Sequence, residues 1–285
     1  LLRERGARIL EPEEGRLASK GEHGIGRLME PALILAECEA LLAGSSSTAG
    51  ARGTRGTEGR GSWEGVRVLV TAGGTREAID SVRFLGNSSS GRMGLALAQA
   101  ARARGAEVSV IAANVSLPRP EGVEWQEVVS AGELEDACKA RFPECEILLM
   151  AAAVADYRPT EPLARKLKKH EHDRVHLELE STPDVLAGLA AARTPSQTLV
   201  GFAAEHGEGA VERGRGKLKM KCLDAVVVND ISRADIGFES ESNEVTIVTA
   251  EGEEHLPRAP KASIAEAILD AVERLRLDRS LEGDV

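Results

Sequence analysis

Aromatic residues are scarce: two tryptophans, one tyrosine and four phenylalanines make up 2% of 285 residues. That excludes the ring platforms on which single-stranded nucleic acids stack. Positive charge is also in deficit, with 36 lysines and arginines against 46 acidic residues and a net charge of −10. A chain of this sign does not gather nucleic acid nonspecifically. The four cysteines, Cys38, Cys138, Cys145 and Cys222, include no close pair of the kind that holds zinc; they read as free or buried thiols of a reducing compartment. No apolar run is long enough to span a membrane and no signal peptide is visible, so the expected setting is cytoplasmic, with no membrane partner. The chain opens on leucine rather than methionine, as expected of a piece of a longer protein.

What remains is ordinary globular material, 42% hydrophobic and 29% charged, enough for one large or two smaller domains. Residues 43–63 are dominated by glycine, serine and threonine and read as a flexible linker. It separates residues 1–42 from a domain over 64–285. From Val66 onward apolar runs alternate with helical stretches. Strands are predicted near 66–71, 107–112, 146–152, 198–203 and 224–229. Helices are predicted near 90–104, 131–141, 183–193, 208–221 and 262–276, with Gly105 as a helix stop. That alternation predicts an α/β fold, a doubly wound, mostly parallel Rossmann-like sheet.

The stretch that organises the domain runs from Gly73-Gly74-Thr75 through Asn87-Ser88-Ser89-Ser90-Gly91 to Gly94, between the first strand and first helix. Glycines let backbone N–H groups approach an anion. The serines can cap the helix, and its N-terminus adds partial positive charge. The expected guest carries phosphate. The second strand ends Ala112-Ala113-Asn114, without the carboxylate that holds a nicotinamide cofactor's ribose, which counts against an ordinary NAD enzyme.

Further on, Ala151-Ala152-Ala153-Val154-Ala155-Asp156 gives the third strand a small-residue exit for a ligand. Lys166, Lys168, Lys169, His170 and His172 form a basic run, followed by the alternating Val175–Glu180, read as a half-exposed strand on a projecting arm. Gly201-Phe202-Ala203 reads as a strand end where a base can lie on the backbone. On a helix, Lys217 and Lys221 share a face while Lys219 points away. Asn229 and Asp230 end the next strand, and Phe238–Val248 leads into a hairpin with Glu251-Gly252 as its turn.

The segments Gly73-Gly74-Thr75-Arg76-Glu77, Ile79-Asp80, Val82-Arg83 and Asn87-Ser88-Ser89-Ser90-Gly91 resemble bacterial phosphopantothenoylcysteine synthetase. This ligase is usually the C-terminal half of a bifunctional coenzyme A biosynthesis protein. The resemblance extends over roughly 64–277, and it implies the substrates 4′-phosphopantothenate, L-cysteine and CTP, with Mg²⁺. It implies Asn87 and Lys217 as catalytic residues: Lys217 on the triphosphate, Asn87 for turnover of an acyl-cytidylate. It places substrate at Arg83, Ser89, Ser90, Gly91, Ala153 and Asp156. The nucleotide is expected at Gly73, Gly74, Thr75, Gly201, Phe202, Ala203, Lys217, Lys221, Asn229, Asp230, Phe238 and Lys261. The metal ligands stay unassigned; Glu241 stands where the family usually has aspartate. The resemblance also implies a homodimer through the arm, and a larger oligomer where the decarboxylase half is present.

Residues 1–42 resemble the end of that other half, a flavin-dependent decarboxylase. The family's catalytic cysteine is missing from Ser19-Lys20-Gly21, and the FMN-binding body has no counterpart here, so decarboxylation is not expected. His23 reads as a solvated loop residue. Three alternatives stay open: a nicotinamide oxidoreductase, a nucleotide sensor without catalysis, and the decarboxylase itself.

Overall fold

The computed structural model describes residues 63–168, 174–230 and 240–282, and the backbone of two short strands nearer the start. Those two, β1 (Glu13–Arg16) and β2 (His23–Arg27), pair antiparallel, with Gly15 opposite Gly24. They belong to a unit of their own, Leu1–Arg55. The glycine-marked loop expected there thus holds a strand pair, and His23 belongs to a strand. Ser19, Lys20 and the helix expected over 31–42 lie outside the described residues.

The second unit, Gly56–Val285, is built on one sheet. β3 (Arg67–Gly73) is buried on both faces, with Val68, Val70 and Ala72 in one core and Leu69 in the other. That explains its continuous apolar run, since a central parallel strand has no wet side. A loop follows that carries a small antiparallel pair, β4 (Arg76–Ala78) and β5 (Phe84–Gly86). Helix α1 (Arg92–Ala103) then leads to β6 (Glu107–Ala113). Gly105, at φ 95°, takes the left-handed turn that ends α1. β7 (Glu124–Val128) and α2 (Ala131–Arg141) come next, then β8 (Ile147–Met150).

After β8 the chain leaves the sheet in an arm whose base is β9 (Tyr157–Pro159) paired antiparallel with β10 (Leu179–Ser181). Helix α3 (Val185–Ala191) returns it to β11 (Thr198–Glu205), and α4 (Ala210–Met220) connects to β12 (Ala225–Asp230). The hairpin β13 (Ser242–Val248) and β14 (Glu253–Pro260) turns where expected, and α5 (Lys261–Glu282) closes the fold.

The sheet order is β14-β13-β12-β11-β8-β3-β6-β7, with β12 through β7 parallel and the last hairpin antiparallel. From β3 the path runs outward to β6 and β7, then restarts at β8 and runs the other way. The switch between β3 and β8 is where open α/β sheets bind ligands, at the C-terminal strand ends. Helices α1 and α5 cover one face with Leu97, Ile264 and Ile268. Helices α2, α3 and α4 cover the other with Leu134, Leu189 and Leu218. At Gly94 the helix α1 presses directly on β3: a Cβ there would lie 2.6 Å from Ala72 Cβ and 2.8 Å from Thr71 O.

Two expectations are corrected, and one strand was missed. Trp63, placed at the end of the linker, is 3% exposed in the core, and the Arg104 guanidinium lies over its ring at 5.5 Å. Arg104 in turn is held by Glu266 at 2.8 Å and Asp270 at 2.5 Å, so Trp63 is tied to α5 through Arg104. In the arm, Val175–Glu180 is not one strand: only Leu179–Ser181 pairs. β7 was not foreseen, because an edge strand reading Glu-Trp-Gln-Glu-Val lacks the apolar run of a central one.

Candidate active site

A cleft of about 760 Å³ opens at the C-terminal ends of β8, β11 and β12, against the start of α1. Of the residues expected there from sequence, it brings together Asn87, Ser89, Ser90, Gly91, Ala153, Asp156, Phe202, Lys217, Lys221, Asn229 and Lys261. They come from six separate segments, which the sheet topology alone unites.

Asn87 reaches the cleft because β4 and β5 fold the long loop back on itself. Its Nδ2 donates to Val154 O at 2.9 Å, binding the first loop to the small-residue exit of β8. An amide carries two N–H donors, and one is used by this bond. The serines do not cap α1. Gly91 occupies the cap position at φ 82°, with no side-chain cap; Ser90 Oγ accepts a long 3.5 Å contact from Arg92 N–H. The first turn therefore presents backbone N–H groups at the cleft.

Gly73, Gly74 and Thr75 do not line the cleft. Gly73, at φ 86°, sits where any Cβ would run into Ala113 O. Gly74 N–H donates to Ala113 O at 2.9 Å and Thr75 N–H to Ala153 O at 3.1 Å. Thr75 Oγ1 accepts from Ala155 N–H at 2.8 Å and is fully buried. These residues hold the two switch-point loops together rather than cradling a phosphate. Asn114, at the place a ribose-binding carboxylate would take, donates to Gly74 O and Val129 O, both at 2.9 Å. It is a staple too.

Gly201 and Ala203 are also misplaced by one residue of strand parity. Gly201 faces Leu186 and Leu223 in the core, while Phe202 and Ala204 face the cleft. Arg83 stands outside the cleft. Its guanidinium pairs with Asp80 at 2.6 Å and donates to Leu167 O at 3.2 Å. Asp80 accepts from Val82 and Arg83 N–H at 2.7 Å and from Leu167 N–H at 3.1 Å. Burial pushes this carboxyl up, but those backbone donors and the Arg83 charge outweigh it and hold it at about 2. The knot pins the arm's base to the loop that ends at Asn87. The side chain of Asp230, and Phe238 entirely, lie outside the described residues.

The electrostatics of the cleft were not legible in sequence. Lys217 Nζ stands 2.7 Å from Glu205, which Arg213 also grips at 2.6 Å. Lys221 Nζ stands 2.8 Å from Asp184, the N-cap of α3. For both carboxylates burial alone raises the pKa, yet these lysines and their neighbours bring it below the ordinary value. Lys219 points to solvent, as the helical spacing predicts. Lys261 opens α5 and is 7% exposed; burial, then the nearby charge of Arg92, pushes its ammonium down to about 8. Arg92 and Asn243 line the same end of the cleft and were missed. Among the described residues no group of three or more histidine, cysteine or acidic side chains is placed to hold a metal.

A family model described as the DNA/pantothenate metabolism flavoprotein C-terminal domain matches residues 63–275. The coenzyme A biosynthesis bifunctional protein CoaBC of Mycolicibacterium smegmatis is 39% identical over 281 residues, 95% of this chain and 65% of that protein. Its namesake in Vibrio cholerae is 38% identical over 253 residues, 88% of this chain and 59% of that protein. The chain thus spans just under two thirds of these relatives. A crystal structure of the C-terminal domain of CoaBC is 35% identical with a TM-score of 0.64, covering 76% of this chain and 99% of that one.

Proposed function

This chain belongs to the family of the DNA/pantothenate metabolism flavoprotein C-terminal domain, and from that premise we propose that it is a CTP-dependent phosphopantothenate–cysteine ligase of coenzyme A biosynthesis. The observation that carries this reading is the convergence of Asn87, Lys217 and Lys221 on one cleft at the sheet's switch point. A carboxylate is a poor electrophile and needs activation before an amine can attack it. In the first step the carboxylate of 4′-phosphopantothenate attacks the α-phosphorus of CTP, and pyrophosphate leaves. Lys217 exchanges Glu205 for the phosphates and offsets the charge that builds there. In the second step the cysteine amine attacks the acyl-cytidylate and CMP leaves. Asn87 supplies a neutral donor to the developing oxyanion.

Mg²⁺ fits this site as a cation carried on the nucleotide. It takes one or two carboxylates plus phosphate oxygens and water, rather than a cage of protein ligands. Asp156, an exposed carboxylate of the cleft, would hold it, since Asp184 is taken by Lys221 and the α3 cap, and it would supply further charge neutralisation. The missing carboxylate after β6 and the stapling role of Asn114 argue against a nicotinamide enzyme. Decarboxylation is not proposed, because Ser19-Lys20-Gly21 holds no cysteine.

The arm is the proposed dimer contact. Val175, Leu177 and Leu179 are 51%, 46% and 43% exposed, and apolar side chains on and just before so short a strand pair need cover. No helix among the described residues is long and apolar enough to cross a membrane, and we place the protein in the cytoplasm. The test is pyrophosphate release with CTP, 4′-phosphopantothenate and cysteine, each omitted in turn. Release that needs CTP and 4′-phosphopantothenate, and product that also needs cysteine, supports the ligase. CTP binding without release would point to a sensor.

A further inference from the structure

Asn243, near the start of β13, is 7% exposed and lines the cleft. Its Oδ1 accepts from Glu244 N–H at 3.0 Å. A backbone N–H can only donate, so this bond fixes which end of the amide is oxygen and which is nitrogen. Nδ2 meets no partner among the described residues. A buried N–H without an acceptor costs stability, and this one borders the cleft, where a ligand can supply the acceptor. With its oxygen taken by its own backbone, Asn243 has donors to offer a ligand and nothing else.

The surroundings indicate which part of a ligand it meets. Phe202 and Val227 are in register on neighbouring strands, and so are Asn229 and Val245. Phe202, Val227 and Val245 belong to the core under α1 and α5, so these four side chains share one face of the sheet. All four line the cleft with Asn243. They make an apolar floor with two carboxamides at its rim. That is the profile of a pocket for a planar heterocycle, apolar beneath the ring and polar at its edge. Helix α4, which carries Lys217 and Lys221, packs on the opposite face through Leu218. Lys261 stands at the same strand end as Asn243, its backbone N–H donating to Glu241 O at 2.9 Å. Its charge attracts any nucleotide alike and does not tell one base from another.

We propose that Asn243 decides between cytosine and uracil by donating from Nδ2 to N3 of the base. The proposal rests on the ligase reading for the nucleotide. On the edge that distinguishes the two rings, cytosine presents adjacent acceptors, O2 and N3. Uracil presents O2 beside an N3–H donor. A fixed donor facing N3 bonds to cytosine and meets uracil N–H against N–H. A site built around one donor rejects the ring that answers it with another. Asn243 touches no reacting atom, so its role is specificity and not chemistry.

The experiment uses the full chain. It measures pyrophosphate release with 4′-phosphopantothenate and either CTP or UTP, and calorimetric binding of each nucleotide with Mg²⁺. The wild type should prefer CTP in both. Asn243→Asp keeps the side chain's shape and the bond from Glu244 N–H, but turns an acceptor towards the cleft. Its CTP-to-UTP ratio should fall by about tenfold or more, the scale of one base-edge contact. Taking the ratio cancels whatever the added charge does to both nucleotides together. Asn243→Ala, with neither donor nor acceptor, should give a ratio between those two. Lys139→Gln, on the outer surface of α2, should leave the ratio unchanged. Thermal unfolding shows which variants are folded, and either folded Asn243 variant suffices for the test. If such a variant keeps the wild-type ratio, the base is read by other groups and the assignment is overturned while the ligase reading stands. A wild type that uses CTP and UTP equally overturns it in the same way. If the wild type binds neither nucleotide and releases no pyrophosphate, the CTP-dependent ligase reading falls and this assignment falls with it.

Discussion

Lys217 and Glu205 face each other at 2.7 Å beside the cleft, and Arg213 on the same helix holds the carboxylate at 2.6 Å. Lys217 is thus aimed before any phosphate arrives. Glu205 is 12% exposed at its side chain, so it cannot swing away with the lysine. On the ligase reading, a phosphate must win the ammonium from a competitor held in place by Arg213.

That arrangement sharpens the separation of the two chemical steps. Lys217→Gln should abolish pyrophosphate release, since it removes an interaction that grows in the transition state, worth on the order of a few kcal/mol. Asn87→Asp should still release one pyrophosphate per site, because the first step calls on no oxyanion donor; the variant also loses the bond to Val154 O, so thermal unfolding must show it folded. Mass spectrometry should trap the acyl-cytidylate in Asn87→Asp and not in Lys217→Gln. Absence of the intermediate in the first, with release persisting in the second, would reverse the assigned roles.

Lys261 gives a pH signature in stability. Its pKa falls from an ordinary 10.5 to about 8 on folding, so between those values the unfolded chain binds more protons. Stability therefore rises with pH through that window, and below about 8 the full cost of the buried ammonium is present. Lys261→Met should raise the melting temperature at pH 7, with the gain shrinking as pH climbs through 8 towards 10. Differential scanning calorimetry across that range checks it; a lower melting temperature at pH 7 would contradict the strained state of this lysine.

Trp63 is the first described residue of the second unit and is buried in its core. A chain of residues 63–285 should keep the ligase activity and melting temperature of the full one. Trp63→Ala should cost about 3–5 kcal/mol, the scale of a large core truncation. Urea unfolding of both forms measures the difference.

The arm should make the protein a dimer. Light scattering should give twice the chain mass, and Leu177→Glu, which puts a charge among exposed apolar side chains, should shift the population towards monomer. A wild-type monomer at working concentration would remove the arm's proposed role.

The sheet was legible because its central strands are buried on both faces and must be written in valine, isoleucine and leucine. β7 was hidden by its place at the edge. Strand parity failed at Gly201 for the same reason that the strand itself was easy to see. When both faces are apolar, alternation no longer tells which residue meets the cleft. Gly73 and Gly74 were read as a phosphate cradle, but a glycine needed for close backbone approach looks the same whether the neighbour is a phosphate or Ala113. Lys217 and Lys221 were found by helical spacing. Their carboxylate partners were not, since Asp184 lies 37 residues from Lys221 and only tertiary folding joins them.

The contact at Gly94 has an evolutionary consequence. α1 lies so near β3 that a single added carbon would meet Ala72 and the Thr71 carbonyl at once. Any larger residue would push the helix outward and carry Arg92 with it. Ala72 is nearly as constrained from the opposite side, being wholly buried under the same helix. Neither position can drift while the other waits, so the gap between helix and strand can change only by a coordinated pair of substitutions. The width of the cleft at the start of α1 is then inherited almost as a fixed dimension, while the arm and the outer face of α5 are free to diverge.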